Sequence, residues 1–352
     1  MLASQGRTAQ WLYRAARVVT PGSIELVEVP IRRLGPGDVL IRVHAAAISG
    51  SDIDIYTGKA STIALPSAIG HELSGEVVET GGRASRFAPG DMVVVESLIP
   101  CEGCQQCLVG AFNKCKSLTF GYRTGMGGIA EYYIANEKRV HRLPNQLSCL
   151  EGSLVEPAAV AAHAVRKSGV TFGDRVAIFG ASAVGLLVLQ FCKAAGAGEV
   201  YVVDTRSDWL ALAASLGADQ ILDCALEDAA QTILELTGGV GVERCFEISG
   251  SPETLRSGLE SLAQGGVLTI TDIGDETCFS EILASSLRRR ELIVQGSYYY
   301  CGEFPLVLEM LARGRIRLER LISHVVDFEH VNEAFKLAVD PTERAVKVIL
   351  SL

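Results

Sequence analysis

Four cysteines lie close together in one short segment of the sequence, CEGCQQCLVGAFNKC. Cys101, Cys104, Cys107 and Cys115 are separated by two, two and seven residues. Four thiolates at such spacing can surround one Zn²⁺ as a tetrahedron and leave no position for water, which is typical of a structural zinc site. Closely spaced cysteines also hold iron–sulfur clusters, and the remaining alternative is a set of free thiols. We predict zinc in this segment.

A second candidate site lies in the segment RVAIFGASAVGLLVLQFCKAAGAGEVYVVD. Its pattern predicts a strand, a glycine turn, a helix and a second strand that ends in an acid, the unit that binds a dinucleotide pyrophosphate at the helix N-terminus. We assign the turn residues Gly180, Ser182, Val184 and Gly185 to the cofactor. Ser182 stands at the middle glycine of the G-x-G-x-x-G pattern. The alternative is a structural turn in a domain without cofactor.

The acid that ends the second strand is Asp204, 19 residues after Gly185. A carboxylate at this position accepts hydrogen bonds from the adenosine ribose and repels a 2′-phosphate. We therefore predict that NAD(H) is preferred over NADP(H). Arg206 lies close enough in sequence to keep NADP(H) open.

A histidine and two carboxylates form a third candidate group. His71 and Glu72 occur in IGHELSGEVVETG, and Glu156 occurs in LVEPAAVAAHA. These residue types are suitable ligands for a catalytic zinc with one open coordination position. Taken alone, a histidine beside an acid is more often a surface hydrogen-bonded pair.

The elements that must position these residues change character along the chain. From Trp11 to Pro144, short alternating segments bounded by Gly, Pro or Asp predict a small antiparallel barrel or sandwich. After Glu156, apolar runs alternate with helical segments, which predicts a doubly wound parallel sheet. The final segment AVKVILSL resembles the strands of the first half, and we expect it to pack there.

Composition limits the partners and the cellular location. The chain has 352 residues, 48% of them hydrophobic, and a formal net charge of −9, which argues against nucleic acid or an anionic membrane as a partner. No apolar run approaches the ~20 residues of a membrane helix. The first ten residues are polar and lack the apolar core of a signal peptide. We predict a cytoplasmic protein.

Together these segments resemble the zinc-containing medium-chain dehydrogenases, and most closely the sorbitol (polyol) and threonine dehydrogenase branch. The resemblance runs from about Trp11 to Leu352 and rests on GHELSGEVVETG, PGDMVVV, the cysteine segment, GGIAEY, EGSLVEPAAVAAHAVRKSGV, SLGADQILD and LISHVVDFEHVNEAF. It implies an α/β fold with an antiparallel chaperonin-10-like catalytic domain and a Rossmann cofactor domain with a doubly wound parallel sheet. The implied bounds are 1–160 and 303–352 for the first, with a zinc lobe at 100–116, and 161–302 for the second.

The resemblance also implies roles for individual residues. His71 and Glu72 fall on catalytic-zinc positions, and Glu156 falls where this branch places a carboxylate on the metal or its water. Ser51 falls on the hydroxyl that begins the proton relay from the substrate alcohol. A small-molecule substrate and a homodimer or homotetramer are implied as well.

Two further cofactor contacts are implied at Ile273 and at Ser297, the second near the nicotinamide. Asp54 stands where relatives often carry a relay histidine, and Tyr299 stands where sorbitol enzymes carry a substrate-contacting arginine. We include Asp54 and Tyr299 among the candidate catalytic residues.

The main departure from the family pattern is Ser49, which stands where the family has the cysteine of Cys-Gly-Ser-Asp. A serine hydroxyl is neutral at pH 7 and is a poor zinc ligand. Two outcomes stay open: zinc held by His71, Glu72, Glu156 and water, or a site without zinc. Whether Ser49 is natural or engineered is also open at this point.

Three functions are therefore considered. The leading hypothesis is an NAD-dependent, zinc-assisted dehydrogenase that interconverts a secondary alcohol of a polyol, sugar-like or cyclitol substrate and a ketone. The second is a zinc-independent NAD(P)H-dependent reductase of a polarised C=C, C=N or C=O bond that keeps only the structural zinc. The third is a non-catalytic protein that binds the cofactor.

Overall fold

The computed structural model describes residues 11–82, 86–272 and 284–352. The chain divides into two compact units, the first comprising residues 1–156 and 318–352 and the second residues 157–317. No helix in the described part of the chain is both long enough and apolar enough to cross a membrane.

The first unit is built mainly of short strands. Its elements are β1 (Leu12–Thr20), β2 (Ser23–Pro30), β3 (Asp38–Ala47), α1 (Gly50–Thr57), β4 (Ser67–Ala68), β5 (Glu72–Thr80), β6 (Met92–Val95), β7 (Leu98–Ile99), α2 (Gln105–Leu108), β8 (Thr119–Phe120), β9 (Tyr132–Asn136), β10 (Val140–Arg142) and α3 (Cys149–Ser153). The helix α4 (Val155–Ser168) begins in this unit and continues beyond its boundary.

The predicted antiparallel character of this unit is confirmed. The largest sheet has the order β10-β6-β5-β3, with β9 also paired to β3, and each of these pairs is antiparallel. Both faces of β3 are buried at Val39–Ile41 and at Ala45–Ala47, and only its middle, around Arg42 and His44, alternates between buried and more exposed side chains.

The C-terminal segment returns to this sheet, as predicted. Its elements are β17 (Ile322–Asp327), α11 (Val331–Val339) and β18 (Lys347–Ser351). The strand β18 pairs antiparallel with β3 and parallel with β17. The sequence analysis predicted a single strand in the tail and missed β17, whose residues alternate between half-buried and exposed.

The second unit alternates strands and helices. Its elements are β11 (Val176–Phe179), α5 (Ala183–Ala195), β12 (Val200–Asp204), α6 (Ser207–Ser215), β13 (Gln220–Asp223), α7 (Ala229–Leu236), β14 (Val242–Glu247), α8 (Pro252–Ser261), β15 (Leu262–Ile270), α9 (Ala284–Arg290), β16 (Ile293–Gly296) and α10 (Phe304–Ala312).

All strands of this second sheet are parallel, in the order β13-β12-β11-β14-β15-β16, which confirms the doubly wound prediction. The strand order reverses between β11 and β14, and ligands of such sheets bind outside the carboxyl ends of the strands at that point. Apolar side chains from these strands, including Phe179, Val203, Cys245 and Leu268, form a buried core.

The segment that contains α10 lies in the second of the two compact units. Two sets of hydrogen bonds hold the C-terminal part of this unit. Gln190 on α5 both donates to and accepts from the backbone of Arg317, and Glu303 accepts hydrogen bonds from His163 and Arg166 on α4.

Candidate metal and cofactor sites

The four cysteines of the lobe converge in the structure. Their sulfur atoms lie within 4.8 Å of one another, and the pairing of β7 with β8 brackets the lobe. Zn–S bonds of ~2.3 Å in a tetrahedron separate the sulfurs by ~3.8 Å, so this arrangement fits four-thiolate coordination. Hydrogen bonds, first of all from the Cys107 backbone N–H, lower the pKa of the Cys104 thiol, whereas desolvation and the neighbouring thiols raise that of Cys107, so these thiols titrate as one group.

His71, Glu72 and Glu156 form a second cluster inside the first unit. One ligand atom from each lies within 4.8 Å of the others, and none of the three residues is more than 7% exposed. His71 Nδ1 and Glu156 Oε1 are buried and have no hydrogen-bond partner among the residues that the structure describes. Buried polar atoms are almost always bonded, so these two orphaned atoms fit the ligands of a metal ion.

A sharp turn before β5 brings His71 and Glu72 to the cluster. Gly70 in this turn has φ 90°, and a Cβ there would lie 2.4 Å from the amide nitrogen of Ile129, so only glycine fits. Glu156 comes from the first turn of α4. Burial raises the pKa of Glu156 to about 7, against the opposing influence of His71. A cation between the two glutamates would keep both ionised.

Lys347 is the residue of this site that the sequence analysis missed. Its ammonium donates to both oxygens of Glu72, over 2.6 and 2.7 Å, and to the carbonyl oxygen of Ile48 over 3.1 Å. All three of its protons are therefore used, and the ion pair is buried. A signal existed in the sequence, because a lysine inside the apolar strand AVKVILSL needs a buried acid as a partner.

The hydroxyl of Ser49 acts as the N-terminal cap of α1. It accepts from the Asp52 backbone N–H over 3.1 Å, and the Ser49 backbone N–H donates to Asp52 Oδ2 over 3.0 Å, which together form a capping box. The Ser49 hydroxyl also donates to Asp52 Oδ2 over 2.6 Å. The Ser51 hydroxyl oxygen lies 3.1 Å from Ser49 Oγ and is its third hydrogen-bond partner. A hydroxyl has one proton and two lone pairs, so Ser49 has none left for a metal. The position of the family's thiolate is thus occupied by a helix cap.

The carboxylate of Asp52 connects α1 to the turn that precedes His71. Asp52 is fully buried, and its other oxygen accepts from the Gly70 backbone N–H over 2.7 Å. Ser49 and Gly70 are therefore held on the two oxygens of one side chain. Asp54, by contrast, is exposed on α1 and is not among the residues whose ligand atoms converge at the cluster.

The glycine turn of the second unit has the geometry of a phosphate-binding turn. Gly180 has φ 107°, and a Cβ on Gly185 would lie 1.9 Å from the Gly180 carbonyl oxygen, so both glycines are required. Ser182 begins α5 without a side-chain capping bond, and Ser182 and Val184 are both partly exposed. The first N–H groups of a helix have no intrahelical partner and bind anions.

Asp204 ends β12 beside this turn. Its Oδ2 accepts from the Ala181 amide over 2.7 Å, and its Oδ1 accepts from the Arg206 amide over 2.9 Å. The guanidinium of Arg206 lies over the Trp209 ring, 4.0 Å from the ring centroid. It also lies 3.3 Å from Asp208 Oδ2.

Glu247 at the end of β14 is a second residue that the sequence analysis missed. It is buried, and its carboxylate accepts from the Ser249 backbone N–H, from the Ser249 hydroxyl and from Thr254. Burial raises its pKa. A Cβ on Gly180 would lie 2.9 Å from the Ser249 amide nitrogen, so Glu247 fixes the loop that faces the phosphate-binding turn.

Both units of this chain match known proteins in sequence and in fold. Residues 35–145 match the family model of the alcohol dehydrogenase GroES-like domain, and residues 183–313 match that of the zinc-binding dehydrogenases. Human sorbitol dehydrogenase is 31% identical over 90% of this chain and 90% of its own length. The (R,R)-butanediol dehydrogenase of Bacillus subtilis is 33% identical over 96% of this chain and 99% of its own. A zinc-binding dehydrogenase from Sinorhizobium meliloti 1021, solved with NADP bound, has a TM-score of 0.91 at 29% identity and covers 97% of this chain and 100% of its own.

This chain belongs to the zinc-containing medium-chain dehydrogenases. Its first unit contains the GroES-like domain and its second has the Rossmann-type parallel sheet. It is an NAD(P)-dependent oxidoreductase of alcohols and ketones with polyol dehydrogenases among its relatives. The predicted family and fold class are thereby confirmed.

Three predicted site residues of this dehydrogenase remain. The Ser297 hydroxyl is buried without a partner among the described residues, and its backbone N–H donates to Ile270. Tyr299 has φ 49°, rare for a residue with a side chain, and its ring packs edge-on against Tyr298 at 4.4 Å. Ile273 lies outside the described residues.

Replacing Gly185 by alanine is expected to weaken NADH binding at least about tenfold and to lower the free energy of unfolding by about 1–3 kcal/mol. The added methyl group meets the Gly180 carbonyl, so the phosphate-binding turn must move. Fluorescence titration with NADH and denaturant unfolding measure the two effects. Gly82→Ala is the control, since no atom of the residues that the structure describes lies within 4 Å of its Cβ position. Wild-type NADH affinity in Gly185→Ala would show that the turn does not hold the cofactor.

Proposed function

We propose that this enzyme is a metal-assisted dehydrogenase that interconverts a secondary alcohol of a polyol, sugar-like or cyclitol substrate and a ketone, with NAD(H) preferred over NADP(H). The convergence of His71, Glu72 and Glu156 in a buried cluster carries the proposal. The sorbitol and butanediol dehydrogenases among the relatives support the substrate class. Asp204, at the end of β12, supports the cofactor preference.

The residues have distinct roles in this reaction. His71 Nδ1 and Glu156 Oε1 would hold the ion, and Lys347 balances the charge of Glu72. When bound, the metal supplies a Lewis acid for the substrate oxygen and the nicotinamide accepts the hydride. Ser51 would accept the proton of the substrate hydroxyl and pass its own proton to Ser49 Oγ, 3.1 Å away, while the Ser49 proton moves to the Asp52 carboxylate that already accepts it.

The remaining features of the proposal concern the whole molecule. The four-cysteine lobe carries a structural zinc, supported by its four converging thiols. The enzyme acts on a small molecule as a homodimer or homotetramer in the cytoplasm. A formal net charge of −9 is consistent with the proposed lack of a nucleic-acid or membrane partner.

The proposal is tested by steady-state oxidation of sorbitol, other polyols and vicinal diols with NAD⁺. In His71→Ala and Glu156→Gln, kcat/KM is expected to fall at least ~100-fold, because even the loss of a partner of a metal ligand costs 10–100-fold. NADH affinity should stay unchanged in both. His330→Ala, which alters an exposed histidine, is the control. Near wild-type turnover in His71→Ala, or turnover that survives removal of metal by a chelator, contradicts the proposal.

A second candidate function is a zinc-independent NAD(P)H-dependent reductase of a polarised double bond. The hydroxyl of Ser49 favours this second candidate, since its hydrogen bonds with Asp52 and Ser51 leave no lone pair to bind a metal ion. Full activity towards an activated enone or imine after chelation, with His71→Ala active, would support this candidate. Loss of all activity on chelation excludes it.

A further inference from the structure

We propose that Asp208 and Trp209 determine the choice between NADH and NADPH by holding Arg206 away from the ribose 2′ position. This inference rests on the proposed function, because it explains the NAD(H) preference proposed there and requires that a nicotinamide dinucleotide binds. Asp204 marks the adenosine end of the site, because the acid that ends the second strand of such a unit binds the ribose hydroxyls. Arg206, two residues further on, is the cation nearest in sequence to that acid.

Asp204 is fixed in place by the backbone of its own unit. Each of its oxygens accepts one backbone N–H, from Ala181 and from Arg206. A carboxylate oxygen has two lone pairs, so each oxygen can accept one more hydrogen bond. The fixed carboxylate is therefore ready for two ribose hydroxyls, and a 2′-phosphate in place of one of them would face a negative charge.

An arginine near this acid is the usual partner of a 2′-phosphate, but the guanidinium of Arg206 is engaged elsewhere. It stacks on the Trp209 ring at 4.0 Å and lies 3.3 Å from the Asp208 carboxylate. Both partners come from the first turn of α6, the helix that follows Asp204. Asp208 offsets the charge of Arg206, and the Trp209 ring fixes the position of the guanidinium group by stacking against it.

The net charge of Asp204, Arg206 and Asp208 disfavours the binding of a 2′-phosphate beside them. Asp204 and Asp208 contribute two negative charges against one positive charge from Arg206. A phosphate monoester adds about −1.5 to −2 more at neutral pH. The Arg206 and Asp208 side chains are 26% and 24% exposed, so salt screens their pair only in part.

Trp209 acts through the face of its ring. Its indole nitrogen is buried and has no hydrogen-bond partner among the described residues, so the N–H contributes no bond that a substitution would remove. A phenylalanine at this position should still stack with Arg206, whereas an alanine should release it.

The test measures dissociation constants of NADH and NADPH by fluorescence titration, without turnover. The wild type is expected to bind NADH at least about tenfold more tightly than NADPH. Asp208→Asn should bind NADPH about tenfold more tightly than the wild type, which is 1.4 kcal/mol, and NADH within twofold. Trp209→Ala should shift in the same direction, and Trp209→Phe should resemble the wild type.

Two controls separate the release of Arg206 from a general loss of negative charge. Glu235→Gln removes an exposed carboxylate on α7 and should change neither affinity. In an Arg206→Gln background, Asp208→Asn should no longer improve NADPH binding. The gain in Asp208→Asn should also shrink as salt increases, since it depends on an exposed guanidinium meeting a phosphate.

The outcomes distinguish this inference from the proposed function. If NADH binds but Asp208→Asn gains no affinity for NADPH, or gains it equally without Arg206, the inference is overturned and the dehydrogenase proposal stands. A wild type that prefers NADPH overturns this inference and the proposed NAD(H) preference, and it leaves the proposed dehydrogenase reaction standing. If neither dinucleotide binds the wild type, both fail.

Discussion

Replacing Lys347 by methionine is expected to lower the free energy of unfolding by about 3–5 kcal/mol, because it leaves the buried carboxylate of Glu72 without a counter-ion. The substitution keeps the length of the side chain and so the packing of β18. It also leaves the Ile48 carbonyl without its side-chain donor. Denaturant unfolding at a constant zinc concentration measures the effect.

The double variant Lys347→Met, Glu72→Met separates the ion pair from packing. When both charges are replaced by apolar groups of similar volume, most of the lost stability should return, because no charge remains buried. Lys138→Met is the matched control, since Lys138 pairs with Glu102 at an exposed site, where a pair contributes little. If Lys347→Met cost no more than Lys138→Met, the buried pair would not be present in solution.

Ser49→Cys is expected to raise the zinc affinity of the His71 cluster at least ~100-fold. The loss of a group that only hydrogen-bonds a metal ligand changes affinity by 10–100-fold, and here a thiolate would be added as a ligand itself. Asp52 holds Ser49 and the turn before His71 on its two oxygens, so we expect the new sulfur to reach the cluster. After passage over a chelating resin, we expect about one zinc per chain in the wild type and two in the variant.

The matched control for this prediction is Ser49→Ala, which removes the same helix cap without adding a thiolate. It should lower stability by ~0.5–2 kcal/mol through the loss of the cap and should gain no zinc. Equal zinc content in the wild type and in Ser49→Cys would mean that residue 49 does not face the metal.

Local patterns in the sequence were sufficient for the fold class and for two of the three groups of site residues. Two-residue gaps between cysteines bring Cys101, Cys104 and Cys107 together in any compact turn, and their thiols do converge with Cys115. The glycine turn and Asp204 belong to one strand–helix–strand unit, so their relative placement follows from the geometry of that unit. Alternation of strands with helices was likewise readable along the chain.

Other contacts of the site join residues that are far apart in the sequence. Glu72 and Lys347 are 275 residues apart, and they meet because β3 pairs with β5 on one side and with β18 on the other. No local pattern encodes such a register, since it depends on how whole strands bury their apolar faces.

The role of Ser49 shows the same limit within a short segment. Its identity in the sequence indicated a lost metal ligand, and the tertiary structure shows a hydroxyl saturated by Asp52 and Ser51. In the sequence by itself, a resemblance of motifs indicated the family, while periodicity and spacing indicated the two kinds of sheet, the cysteine segment and the glycine turn. Only the tertiary structure decided which partner each polar group has, because buried donors and acceptors are matched by the packing of distant elements.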